Sequence, residues 1–255
     1  MKLFLGKMFL RGELEVLTGI HIGGSRDNME IGGMDNPVVK TLNGVPYIPA
    51  SSLKGKVRCL LERKYGVVAA RGEGQPCGCG ECLHCQLFGS HSADSKTLTR
   101  CYIRDAFLNE AHYRQNFRFP FEEDFTYTEE KAENIIDRLK GVAQHPRFME
   151  RVPAGARFSL EMVVNFYEGD DIAALVGRLL EGLRLLEDDY LGGSGSRGYG
   201  KVAFRNLGIS VKSKQDYQKE NQEHPILQGE NLAALTIQKL GAELLGFFQG
   251  VGGSR

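Results

Sequence analysis

A hydrophobic period that switches from two to 3.6 and back, twice over, limits what this chain can fold into more than any other feature. Met8, Leu10, Leu14 and Val16 alternate with Arg11, Glu13 and Glu15, the mark of a strand with one buried face. Leu53, Val57, Leu60 and Leu61 then recur at helical spacing. With Ser51 and Ser52 as N-cap residues and Gly66 as the stop, they predict a helix from about Ser52 to Tyr65. TLTRCYIRDAFL, residues 97–108, reads as a strand, and Phe158, Leu160, Met162, Val164 and Phe166 alternate as another. Ile172, Leu175, Val176, Leu179, Leu180, Leu183 and Leu186 make a second helix that Asp170 or Asp171 can cap, and a last strand opens over residues 201–204. Strand, helix, strand, excursion, strand, helix, strand fits an α+β fold with a ferredoxin-like core.

Three stretches stand outside that order. Residues 117–154 carry scattered aromatics and charges without a sustained period and read as an irregular excursion from the core. Past the core, taken as residues 1–210, KSKQDYQKENQEHP is polar enough for a linker over residues 211–225. Leu232, Leu235, Leu240, Leu244 and Leu245 then suggest a C-terminal helix within 226–250, its apolar face expected against its own core.

The third stretch, residues 70–95, holds four of the six cysteines, in CGCGECLHC. Two overlapping C-x-x-C units suit a tetrahedral Zn²⁺ held by Cys77, Cys79, Cys82 and Cys85 better than a disulfide framework. His84 and His91 are the alternates for one thiolate. With all four ligand positions closed by protein, its expected role is structural. Cys59 and Cys101 sit in apolar patterns and read as core.

The 32 basic residues balance 32 acidic ones, so any nucleic-acid site must rest on a local cluster. Lys54, Lys56, Arg58, Arg63 and Lys64 face only Glu62 along the first helix. Lys54 and Arg58 share one face of its first turns, where free N–H groups suit a phosphate. The loop before that helix, GIHIGGSRDNMEIGGMDNPVVK, combines glycine pairs with Asp27, Glu30 and Asp35, and acid beside a phosphate site points to phosphodiester chemistry. His21 lies near the same loop and is an alternative acid or base. No apolar run approaches the roughly 18 residues of a membrane span, and no signal peptide is legible, so the expected location is cytoplasmic.

IGGMDNPVVK, PYIPASSLKGKVR and DYLGGSGSRGYGKV, in this order within residues 1–210, resemble the repeated backbone subunit of type III-A (Csm) CRISPR effector complexes, in the RAMP superfamily of RNA-binding proteins. The resemblance implies an RNA-recognition-like core that binds guide RNA and stacks with further copies of itself and other subunits. It implies cleavage of complementary target RNA at regular intervals, with residues 117–154 as a thumb. It makes Asp35 the catalytic residue, in a positioning or metal-holding role with Mg²⁺ or another divalent ion, because an unperturbed Asp is a poor base at neutral pH. Asp27 and Glu30 are candidates to share that ion. RNA contacts are expected from His21, Ser51, Ser52, Lys54 and Arg58, and from Gly193, Ser194, Arg197 and Tyr199 in the second glycine-rich loop. The rival readings are a non-cleaving RNA-binding scaffold of the same kind of complex and a stand-alone nuclease that trims guide precursors.

Overall fold

Alternation makes β1 (Phe4–Val16) a strand with one dry face: Met8, Leu10, Leu14 and Val16 are buried in this computed structural model, which describes residues 2–24, 36–67, 74–90, 92, 97–118, 121, 125–219 and 221–252. The short strand β2 (Tyr47–Ile48) leads into α1 (Ala50–Lys64), which buries Leu53, Val57 and Leu61. Ser51 and Ser52 are not its caps. Pro49 holds the cap position without a side-chain bond, the two serines lie in the first turn, and the Ala50 N–H donates to Asp105 Oδ1 at 2.7 Å. An acceptor from a distant connection has replaced the local one.

The cysteine segment contributes α2 (Leu83–Phe88) and is followed by β3 (Cys101–Ile103), β4 (Ala106–Phe107), which pairs with β2, and α3 (Glu110–Asn116). The stretch expected to be irregular contains an antiparallel hairpin, β5 (Glu129–Ile136) and β6 (Ala143–Arg151). Then come β7 (Arg157–Tyr167), α4 (Ile172–Asp188) and β8 (Val202–Ser213), a strand much longer than residues 201–204. Where a linker and a helix were expected, β9 (His224–Asn231) pairs with β8, and α5 (Ile237–Gly252) starts only after it.

The main sheet runs β3-β7-β1-β8-β9 with every neighbouring pair antiparallel. Without β9, that order and the succession β1-α1-β3-β7-α4-β8 give the ferredoxin-like arrangement. α4 buries Leu175, Val176, Leu179, Leu183 and Leu186. α1 comes so close to it that a Cβ on Gly182 would lie 2.7 Å from Val57 Cγ1. α5 packs against α4 through Leu240 and Leu244, and Phe248 meets Phe166 edge-on at 5.3 Å.

Asp171 caps α4 by accepting from the Ala174 N–H at 2.9 Å. Asp170 does something else: it accepts from Arg100 Nε at 2.9 Å and Nη2 at 2.8 Å, from Lys2 Nζ at 3.1 Å and from the Tyr167 N–H at 3.0 Å. Burial pushes the Asp170 carboxyl up, but Arg100, Lys2 and the Tyr167 N–H outweigh it and hold it below the usual carboxylate range.

Candidate nucleic-acid interface and metal centre

The two glycine-rich loops meet at His21. Residues 17–24 run beside residues 191–201: the Leu17 N–H donates to Lys201 O at 2.8 Å, Gly200 N–H to Gly19 O at 3.1 Å and Gly193 N–H to His21 O at 2.8 Å. Gly192 has φ +85°, and a Cβ there would sit 2.3 Å from the His21 carbonyl oxygen, so the approach requires glycine. From the other side, His21 Nδ1 lies 2.7 Å from the carbonyl oxygen of Glu150 in β6. A carbonyl only accepts, so Nδ1 carries the proton and a neutral ring keeps its lone pair on Nε2, beside Gly23.

Asp27, Glu30 and Asp35 lie outside the described residues, but the stem of their loop does not. The Gly24 N–H donates to Pro37 O at 3.0 Å and Val39 N–H to Ile22 O at 2.9 Å. On the far side of that stem the Glu150 carboxylate accepts from the Val38 N–H at 2.8 Å, from the Thr128 hydroxyl at 2.7 Å and from the Lys40 ammonium. Burial alone would raise the Glu150 pKa. The donors from Lys40, Thr128 and Val38 overcome that and keep it below the ordinary range. No sequence signal singled out Glu150, one acid among many in an aperiodic stretch.

In the second loop Ser194 adopts the left-handed conformation, and Arg197 donates to Ser194 Oγ at 3.1 Å and pairs with Glu133 of β5 at 3.0 Å. Tyr199 differs from expectation. Its ring is 1% exposed, between Lys131 at 4.4 Å and Arg151 at 5.1 Å, so it seats the hairpin root on the loop and offers no free face for stacking.

Arg58 also has other work than the expected one. Its Nε donates to Glu62 Oε1 at 2.8 Å, Nη1 to Gly89 O at 3.0 Å and Nη2 to Cys77 O at 2.6 Å, which ties α1 to the cysteine segment. Glu62 in turn accepts from the Cys77 N–H at 3.0 Å. Ser51 is exposed, and Ser52 and Lys54 are half-buried. Lys56, not singled out from the sequence as a site residue, lies 3.5 Å over the Tyr190 ring and 3.2 Å from Asp189, at the root of the second loop.

The four thiols of Cys77, Cys79, Cys82 and Cys85 lie within 4.8 Å of one another, with Cys79–Cys85 and Cys77–Cys82 both at 3.9 Å. Four sulfurs at about 2.3 Å around a tetrahedral zinc are about 3.8 Å apart, so the donor set fits that ion. Burial resists ionisation of Cys79, yet donors from Cys82 and Glu81 bring its thiol down to about 6, whereas burial pushes Cys85 up to about 12. His84 faces away from the cluster: its Nε2 accepts from Arg178 at 3.0 Å and its ring lies 5.4 Å from Tyr65. His91 lies outside the described residues.

The pattern of the RAMP superfamily matches residues 13–203. The chain is 47% identical over 218 residues to the "CRISPR system Cms endoribonuclease Csm3" of Methanocaldococcus jannaschii, covering 84% of each. It is 40% identical over 244 residues to the protein of that name from Methanothermobacter thermautotrophicus, covering 90% of this chain and 96% of the relative. Among solved structures, one described as "Crystal structure of Csm3-Csm4 subcomplex in the type III-A CRISPR-Cas interference complex" aligns with TM-score 0.60 at 35% identity, over 94% of this chain and 96% of that one. The Csm3 crystal structure from Methanopyrus kandleri, 22% identical, shares the fold with TM-score 0.61, over 99% of this chain and all of that one.

Proposed function

This chain belongs to the RAMP superfamily and is an endoribonuclease of the type III-A CRISPR kind, and we propose that it is the guide-binding backbone subunit whose Asp35 promotes cleavage of complementary target RNA at regular intervals. The observation that carries this reading is the meeting of both glycine-rich loops and the hairpin root at His21, which gathers close-approach backbone, a histidine and cations in one place. Such a surface suits phosphate and ribose rather than base edges, as expected where base pairing with a guide supplies specificity. Backbone contacts fall to Ser51, Ser52 and Lys54 on α1 and to Gly193, Ser194 and Arg197 on the second loop. Arg197 trades Glu133 for phosphate.

The thumb is the β5–β6 hairpin. Its turn is held by Asp137, which accepts from the Leu139 N–H at 2.8 Å and the Lys140 N–H at 3.0 Å, and leaves Leu139 fully exposed, with the exposed Ile135, Ile136 and Val142 close to it along the hairpin. Apolar side chains at a hairpin tip fit between bases and open a kink in the paired strand. At the kink the ribose 2′-oxygen attacks the adjacent phosphorus and the bond to the 5′-oxygen breaks, leaving a cyclic phosphate and a 5′-hydroxyl. Asp35 orients the 2′-hydroxyl or holds a divalent ion, and such an ion would stabilise charge on the phosphoryl oxygens. His21, through Nε2, contacts the RNA. The Cys77, Cys79, Cys82 and Cys85 zinc site is structural, closed by four protein ligands.

Incubating the assembled complex with labelled complementary RNA, with and without Mg²⁺, is the test. Regularly spaced products that require the ion support the reading, and an intact strand under both conditions overturns it.

A further inference from the structure

We propose that Glu150 is a positioning residue for RNA cleavage, fixing the segment that follows Asp35 with its side chain and the His21 ring with its main chain. The proposal rests on the reading of Asp35 as the catalytic carboxylate. Glu150 is 1% exposed, and its donors come from separated parts of the chain: Val38 and Lys40 in the loop stem and Thr128 at the hairpin root. Hairpin pairing does not explain this burial. The register sets Glu150 opposite Glu130, and like charges directly opposite oppose the pairing, so Lys40 is the charge that makes the arrangement tolerable.

The consequence is a stem clamped on two sides. Ile22 and Gly24 hold residues 37–39 by backbone bonds on one side, and the Glu150 carboxylate holds Val38 and Lys40 on the other. Asp35 is three peptide bonds from Val38. The same glutamate's carbonyl accepts the His21 Nδ1–H, so one residue at the end of the hairpin sets both the histidine tautomer and the exit of the catalytic loop. A clamp of this kind matters to chemistry more than to binding, because small misplacements of a reacting group cost rate steeply while phosphate contacts elsewhere hold the RNA.

Glu150→Gln keeps the size and the backbone carbonyl but leaves the Lys40 ammonium unmatched. In the assembled complex we expect the single-turnover rate at saturating complex to fall about 10-fold or more, with guide affinity and the target concentration for half-saturation unchanged. Lys40→Met removes the same ion pair from its partly exposed side and should slow cleavage in the same direction by about 3-fold or more, and it decides the matter if Glu150→Gln fails to assemble. Asp35→Asn is run beside them. If it is inactive while Glu150→Gln and Lys40→Met cleave within about twofold of wild type, Glu150 is only a packing residue and this inference is overturned alone. If Asp35→Asn cleaves like wild type, the reading of the loop fails and the inference with it.

Discussion

Arg58 donates to the carbonyl oxygen of Cys77 at 2.6 Å, so α1 and the cysteine segment share one junction, and the counter-ion at that junction is Glu62, 3% exposed. Arg58→Ala strands this buried carboxylate, and losing one partner of a buried pair costs about 3 kcal/mol. We expect a lower denaturant midpoint and weaker zinc retention, with the salt dependence of RNA binding unchanged. Lys54→Ala should do the reverse, reducing the salt slope by about 1 while leaving stability within about 0.5 kcal/mol. Filter binding over a salt series, paired with denaturant unfolding of each variant, separates the two roles.

Metal analysis should find one zinc per chain. Structural zinc contributes roughly 10 to 16 kcal/mol of apparent binding energy in small peptides, so a chelator should loosen residues 74–90 and, through Arg58, the adjoining face of α1. Hydrogen exchange reads that loss directly. Purified protein with reduced cysteines and no zinc would count against the site.

The buried Asp170–Arg100 pair makes an acid-side prediction. Asp170 has a depressed pKa when folded, so its stabilisation is present above the unfolded value near 3.9 and is lost as pH falls through the folded one. The Asp170 contribution to the thermal midpoint should therefore be complete from pH 8 to about 5 and be lost below about 4, where it steepens the acid limb. Asp170→Asn should cost about 3 to 5 kcal/mol at pH 7 and flatten that acid limb. An unchanged acid limb would assign the loss to other carboxylates.

What the sequence made legible was what hydrophobic period controls. β1, β7, α1 and α4 lie where Met8, Phe158, Leu53 and Ile172 start their patterns, because each buries one face against the same core. β9 was hidden because an edge strand with alternating exposure needs no apolar run: His224 fell in the polar stretch read as a linker, and Gln228 and Glu230 in the range given to the C-terminal helix. The β5–β6 hairpin was hidden for the same reason, since Glu129 and Glu133 meet cations, and Lys131 meets Glu133, rather than a core. The cysteine cluster was plain from spacing. Which cations were free was not: Arg58 and Arg197 look alike in sequence, and only the fold shows that Arg58 has three protein partners around its guanidinium while half of the Arg197 side chain remains exposed.

The hairpin tip supplies a further check. Replacing Leu139 by Ser removes apolar surface that the fold does not use, so stability should change by no more than about 0.5 kcal/mol. Guide binding should persist, whereas cleavage of the paired target should weaken because the kink is less well held open. Gel analysis of the product ladder would show it, and an undiminished ladder would remove the thumb role from this hairpin.

The most direct measurement is the single-turnover cleavage rate of Asp35→Asn at saturating complex. Asparagine keeps the size and turn-forming capacity of the residue and removes only the charge. On the proposed reading basic residues and glycine backbone elsewhere hold the RNA, so guide binding and assembly should be intact, and the rate should fall by roughly 100-fold to 10,000-fold. A rate close to wild type would reduce Asp35 to a turn residue and contradict its role as the catalyst.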